Sequence, residues 1–132
     1  MVFEFISEGV KGEIPKLIKF SETSSKGIFN LAFGDKSVGT EDIDDTIVSN
    51  NGDSEKVLAT VVAAVYAFTE YYPETWIYAT GSTKSRTRLY RMGIAKYHDE
   101  VKQDFMIFGL REGEWVNFKK DVDYTAFIIK RK

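Results

Sequence analysis

A chain of 132 residues, 43% hydrophobic and 14% aromatic, is long enough to bury a core and too apolar to stay disordered. It has no cysteine, which excludes disulfides, thiol catalysis and thiolate metal sites. Its formal net charge of −2 argues against a general binder of nucleic acid or anionic membranes.

The two prolines and the lack of a Ser/Gly-rich linker predict one domain over residues 1–132. Met1-Val2-Phe3-Glu4-Phe5 carries an early acid and no basic or sustained apolar run, so no signal peptide is expected. The longest apolar stretch, 57–68, is broken by Thr60 and too short to span a bilayer. With no cysteine besides, a cytoplasmic protein is expected.

In chain order, Phe3 and Phe5 alternate with Val2, Glu4 and Ile6 as a short strand. Residues 16–20 and 27–33 read as a hairpin, with Phe29, Leu31 and Phe33 at strand period. Residues 34–52 form a polar, acidic loop. Asn51-Gly52-Asp53-Ser54 then announces a helix, with Asp53 as its cap. In that helix Val57, Leu58, Val61, Val62, Val65, Phe68 and Thr69 keep helical spacing, and Ala59, Ala63 and Ala67 add a small-residue stripe. A helix so apolar is expected to be buried on more than one side.

Residues 75–80 form a short strand, and Gly81-Ser82-Thr83 opens a second helix running to about Asp99, amphipathic through Leu89, Met92, Gly93 and Tyr97. Three strands follow, at 105–110, 115–118 and 124–129, the first apolar throughout and therefore expected to be central. The fold class is α+β, a mainly antiparallel mixed sheet with two principal helices in the order βββ-α-β-α-βββ.

Charge is segregated. Residues 35–55 hold Asp35, Glu41, Asp42, Asp44, Asp45, Asp53 and Glu55 against Lys36 alone, and residues 81–98 hold Lys84, Arg86, Arg88, Arg91 and Lys96 with no acid. If the strands before the two helices are parallel neighbours, both strand-to-helix loops reach one sheet edge, where helix N-termini favour anions. The residues gathered there would be Asn50, Asn51 and Asp53 from one loop and Gly81, Ser82, Thr83, Arg86 and Arg88 from the other. Hydroxyls and guanidinium groups in that setting suit a phosphate or carboxylate. The same residues also serve as ordinary helix caps, with Arg86 paired to Asp53 or another acid.

The basic helix with Tyr90 and Tyr97 offers an alternative, stacking and charge for single-stranded nucleic acid. Glu41-Asp42-Ile43-Asp44-Asp45 lacks the spacing of a calcium loop, and with His98 as the sole histidine no metal site is expected. Trp76 and Trp115 read as core or rim residues, and Lys130-Arg131-Lys132 as a basic tail.

Ser49-Asn50-Asn51-Gly52-Asp53 followed by Lys56-Val57-Leu58-Ala59-Thr60-Val61, and Gly81-Ser82-Thr83 with Arg86-Thr87-Arg88-Leu89-Tyr90-Arg91, resemble an uncharacterised family of small bacterial and phage-related proteins. That resemblance implies no activity. The succession of a loop-capped helix, a strand, a helix bearing Leu-Tyr-Arg-x-Gly and paired strands is also similar to the C-terminal half of the Gcn5-related acetyltransferase fold. That likeness implies an acyl-CoA cofactor and Tyr90 as acid. The pyrophosphate turn departs from it, since Asp53 would repel a close phosphate by on the order of 1 kcal/mol. Two readings follow: a binding or interaction domain, acting on a protein partner, a second copy or a small anion, and an acyltransferase-like enzyme.

Overall fold

The computed structural model describes residues 1–37, 43, 54–81 and 83–132, apart from the side chains of Ser54 and Arg86. β1 (Val2–Gly9), β2 (Gly12–Glu22) and β3 (Ile28–Asp35) form a meander, and α1 (Ser54–Tyr71) leads into β4 (Trp76–Ala79). Then α2 (Lys84–Lys96) and α3 (His98–Asp104) lead into β5 (Phe105–Arg111), β6 (Glu114–Asn117) and β7 (Ala126–Arg131). The fold is α+β, with a single mixed sheet ordered β1-β2-β3-β4-β7-β5-β6. Neighbours are antiparallel except β3 and β4, which run parallel with Leu31 opposite Ala79.

The first hairpin is longer than its hydrophobic pattern, pairing Val2 with Lys19 through to Gly9 with Gly12. Pro15 is accommodated in β2 because it lies one residue beyond the Lys16–Asp35 pair, where β3 ends. The predicted second helix is two. At Tyr97 the chain leaves α2, and the Tyr97 carbonyl accepts the amides of Glu100 and Val101 to start α3. β5 is not central, lying one strand from the edge, and only alternate residues of it are buried.

The helices supply one face of the core. Val57, Leu58, Val61, Ala64, Val65, Phe68 and Thr69 of α1 are buried, and Val61, Ala64, Val65 and Phe68 share one core cluster with Ile18, Phe20, Leu31, Ile77 and Phe127. Ala59 and Ala63 face outward, so α1 is buried along one stripe and not on several sides. Alanine is the best helix former and costs nothing at the surface, so an apolar count alone misplaces it. In α2 Tyr90 and Gly93 are buried and Ile94 and Ala95 pack against the core, while Met92 is 44% exposed. None of the described helices is long and apolar enough to cross a membrane.

Two glycines have clear physical reasons. Gly113 (φ 79°) and Glu112 (φ 52°) are both left-handed, as the tight β5–β6 hairpin turn requires. At Gly109 a β-carbon would sit 2.3 Å from Tyr124 Cδ1, so the ring of Tyr124, buried beside Phe118 and Phe127, packs directly on β5 backbone.

The basic C-terminal run is part of the fold rather than a tail. Arg131 in β7 donates from Nε to Thr69 Oγ1 (2.9 Å) and from Nη2 to the Tyr66 carbonyl (3.2 Å), with its guanidinium over the Tyr66 and Phe105 rings. The Tyr66 hydroxyl donates to Asp104 Oδ2 at 2.7 Å. Burial first, then that hydrogen bond and the Asp104 charge, push the Tyr66 phenol up to about 12 against an ordinary 10.0. The folded state thus favours the neutral phenol. Its stabilising contribution is complete below pH 10 and is lost as pH rises through 12. Urea unfolding at pH 9 and pH 11.5 should therefore show a larger loss of stability for wild type than for Tyr66→Phe. Equal losses would contradict this.

Candidate anion-binding cleft

The site begins where β4 ends. Its last residue, Ala79, pairs with Phe127 of the incoming β7, so the segments Thr80–Gly81 and Tyr124–Thr125 lie side by side. The Thr80 hydroxyl ties them together by donating to the Thr125 carbonyl (2.9 Å). α2 rises from this junction. Its first turn is fixed by Thr87, whose amide and hydroxyl both donate to the Thr83 carbonyl (3.1 Å each) and whose Oγ1 accepts the Gly81 amide (3.1 Å). Thr83 therefore holds the N-cap position expected of it.

Between α2 and the β7 approach lies an open cleft of about 770 Å³, lined by Thr80, Gly81, Thr83, Lys84, Thr87, Arg88, Arg91, Asp123, Tyr124 and Thr125. Lys84, Arg88 and Arg91 fall at i, i+4 and i+7, the spacing that brings side chains to one helix face. Lys84 and Arg88 are exposed and have no ion-pair partner among the described residues. Arg91 is half-buried, with Nε 3.3 Å from Asp123 Oδ1. That Nε is shielded from solvent, yet its approach to Asp123 lacks hydrogen-bond geometry. With Asp123 93% exposed, this pairing is loose and contributes about 0–1 kcal/mol. Among the described residues the cleft wall thus presents three cations against one weakly held carboxylate, beside the positive end of a helix.

Of the predicted site residues, Gly81, Thr83 and Arg88 line this cleft. Asn50, Asn51, Asp53 and Ser82 lie outside the described residues, as does the side chain of Arg86. The parallel β3–β4 pair that was to gather both loops is present. The described start of α1, however, meets the far end of α2. Glu55 Oε1 is 2.6 Å from Lys96 Nζ, and a β-carbon at Gly93 would touch Leu58 at 3.0 Å. Lys96 lies twelve residues from Lys84, roughly 18 Å along the axis at 1.5 Å per residue. The Lys96 ammonium holds the exposed Glu55 carboxyl below its usual range.

Tyr90 belongs to the core. It is 7% exposed, its hydroxyl donates to the Leu31 carbonyl (3.3 Å), and its ring stands edge-on to Phe33. It does not line the cleft, and neither does Tyr97. His98 packs half-buried against Phe118, and burial, then Lys102 and Lys120, hold its imidazole below the usual value. Among the described residues no group of three histidine, aspartate or glutamate side chains is placed to hold a metal ion. The residues missed from sequence were Lys84, Thr87, Arg91 and the strip Asp123–Thr125. The i, i+4, i+7 spacing of the three cations was the available signal, whereas the strip is contributed by tertiary contact alone.

Neither a curated protein nor a solved structure matches this sequence. A family model does, from residue 1 to residue 132: the chain belongs to the family of unknown function DUF6934.

Proposed function

We propose that this protein is a binding domain that holds an anionic group, of the phosphate or carboxylate class, in the cleft at the start of α2. One observation carries the reading: Arg91 Nε is buried beneath the cleft without a hydrogen-bonded acceptor among the described residues, while Lys84 and Arg88 are exposed on the same helix face and have no ion-pair partner among those residues. A buried guanidinium nitrogen normally finds an acceptor, and a bound oxyanion between Arg88 and Arg91 would supply one bidentately. Asp123, exposed and loosely paired, is readily displaced from Arg91. A cytoplasmic setting, rich in phosphorylated metabolites, suits such a ligand and a chain without cysteine.

Inorganic pyrophosphate is the direct probe, read by thermal shift. At one hundred times its Kd a ligand adds about 2.7 kcal/mol to stability, a rise of several degrees in melting temperature. Arg88→Gln combined with Lys84→Gln should abolish that rise without lowering the melting temperature of the unliganded protein, since both side chains are exposed. A rise retained in the double variant would overturn the assignment.

The acyltransferase-like reading has less support. Its acid, Tyr90, is bound to a backbone carbonyl inside the core. Acetyl-CoA in the same thermal-shift series tests it: a larger rise than with pyrophosphate would favour an acyl-CoA ligand, and an equal or absent one would not.

A further inference from the structure

The cleft at the start of α2 already faces one anionic group, the carboxylate of Asp123, and the way it holds that group narrows the ligand class. Asp123 is tethered beside Arg91, so its carboxylate acts at an effective concentration at least on the order of millimolar. It nevertheless stays 93% exposed, and Arg91 Nε, 3.3 Å from Oδ1, gains no hydrogen bond from it. A free monocarboxylate offers the same two oxygens without the tether and therefore binds more weakly still. Three neutral hydroxyls of the wall are also committed. Thr80, Thr87 and Thr125 donate to the carbonyls of Thr125, Thr83 and Leu110, and the Gly81 amide donates to Thr87 Oγ1. Against those committed groups stand the three cations, Lys84, Arg88 and Arg91, so the wall recognises charge.

We infer that the group this cleft selects is a diphosphate carried on a larger molecule, and that Asp123 is a built-in competitor that excludes singly charged acids. The inference rests on the anion-binding reading of the cleft and narrows it. Lys84 and Arg91 lie two helical turns apart, roughly 10 Å along the axis. One carboxylate or one phosphate meets only part of that row. Two linked phosphoryl groups fill it, one between Lys84 and Arg88 and the other between Arg88 and Arg91, each guanidinium taking two oxygens in parallel. Displacing Asp123 costs any ligand the loose ion pair with Arg91. A multiply charged group offsets that cost through Arg88 and Lys84, and an acetate-like group has no second charge with which to do so. The cleft's volume of about 770 Å³ falls within the roughly 300–1,000 Å³ of whole small-molecule sites, which leaves room for the carrier.

Isothermal titration calorimetry with pyrophosphate, orthophosphate and acetate at one ionic strength tests this on the wild-type chain and on Asp123→Asn, a change at an exposed site. Pyrophosphate should bind wild type at least about tenfold tighter than orthophosphate, and acetate should give no saturable heat. Asp123→Asn should tighten pyrophosphate binding at least about threefold. Glu8→Gln, an exposed acid on the far edge strand β1, should leave it unchanged. Orthophosphate or acetate binding as tightly as pyrophosphate would overturn the diphosphate assignment, and unchanged or weakened affinity in Asp123→Asn would overturn the competitor. Either result leaves the anion site itself standing. No saturable heat from any of the three in wild type, or heats that persist in Lys84→Gln/Arg88→Gln, would instead remove the site and this inference with it.

Discussion

Asp35→Ala is expected to cost the fold about 3–5 kcal/mol, because it leaves a lysine ammonium inside the protein without its counter-charge. Lys16 of β2 and Asp35 of β3 are direct cross-strand partners. Phe33 and Ile18 on the same strands lie in or against the core, and the alternation from them puts Lys16 and Asp35 on the helix side of the sheet. Their side chains are only 7% and 9% exposed, and Lys16 Nζ donates to Asp35 Oδ1 at 2.5 Å. Lysine is almost never so buried unless paired. Removing both charges is a different matter: Lys16→Met with Asp35→Leu should restore near-wild-type stability, since a buried ion pair gains little over well-packed apolar groups. Urea midpoints for the two single variants and the double variant measure this. A loss below ~1 kcal/mol for Asp35→Ala would mean that the pair is solvated.

Phe68→Ala is expected to cost about 3–5 kcal/mol through lost burial and the cavity left behind. Phe68 is fully buried near the end of α1. It stacks on Phe20 of β2 at 4.2 Å with planes only 5° apart, and it meets Phe29 of β3 and Tyr72 at 5.1 Å each. The one ring therefore joins the helix to two strands, and its removal should lower the melting temperature by on the order of 10 °C. Ala63→Ser on the exposed side of the same helix should stay within about 0.5 kcal/mol of wild type. If the two variants melted alike, the helix would be buried on a different face from the one described.

The contrast between those two positions indicates how much of this fold is legible from sequence. The valine, leucine and phenylalanine stripe of α1 could be read directly, because a 3.6-residue period leaves few alternatives. The alanines could not be placed, since a small apolar side chain is compatible with core and surface alike. The parallel β3–β4 pair was only a condition placed on two strand-loop-helix units, one that the sheet meets. The insertion of β7 between β4 and β5 was not legible, because the last strand's partners depend on packing rather than on any local pattern. No local pattern pairs Lys16 with Asp35, nineteen residues apart; strand register does. For the cleft, Gly81, Thr83 and Arg88 were legible as cap chemistry followed by a guanidinium. Arg91 and Lys84 needed the helix face, and Asp123 with Thr125 needed the sheet order. The loop expected to contribute Asn50, Asn51 and Asp53 lies outside the described residues.

A cleft built on Lys84, Arg88 and Arg91 is the central functional assignment, and a titration of nitrogen-15-labelled protein with inorganic pyrophosphate, followed amide by amide, tests it most directly. The expected result is a saturable set of shifts confined to Gly81, Thr83, Lys84, Thr87 and Thr125, absent in the Lys84→Gln/Arg88→Gln variant. Saturable shifts centred on other residues, or none at millimolar pyrophosphate, would contradict it.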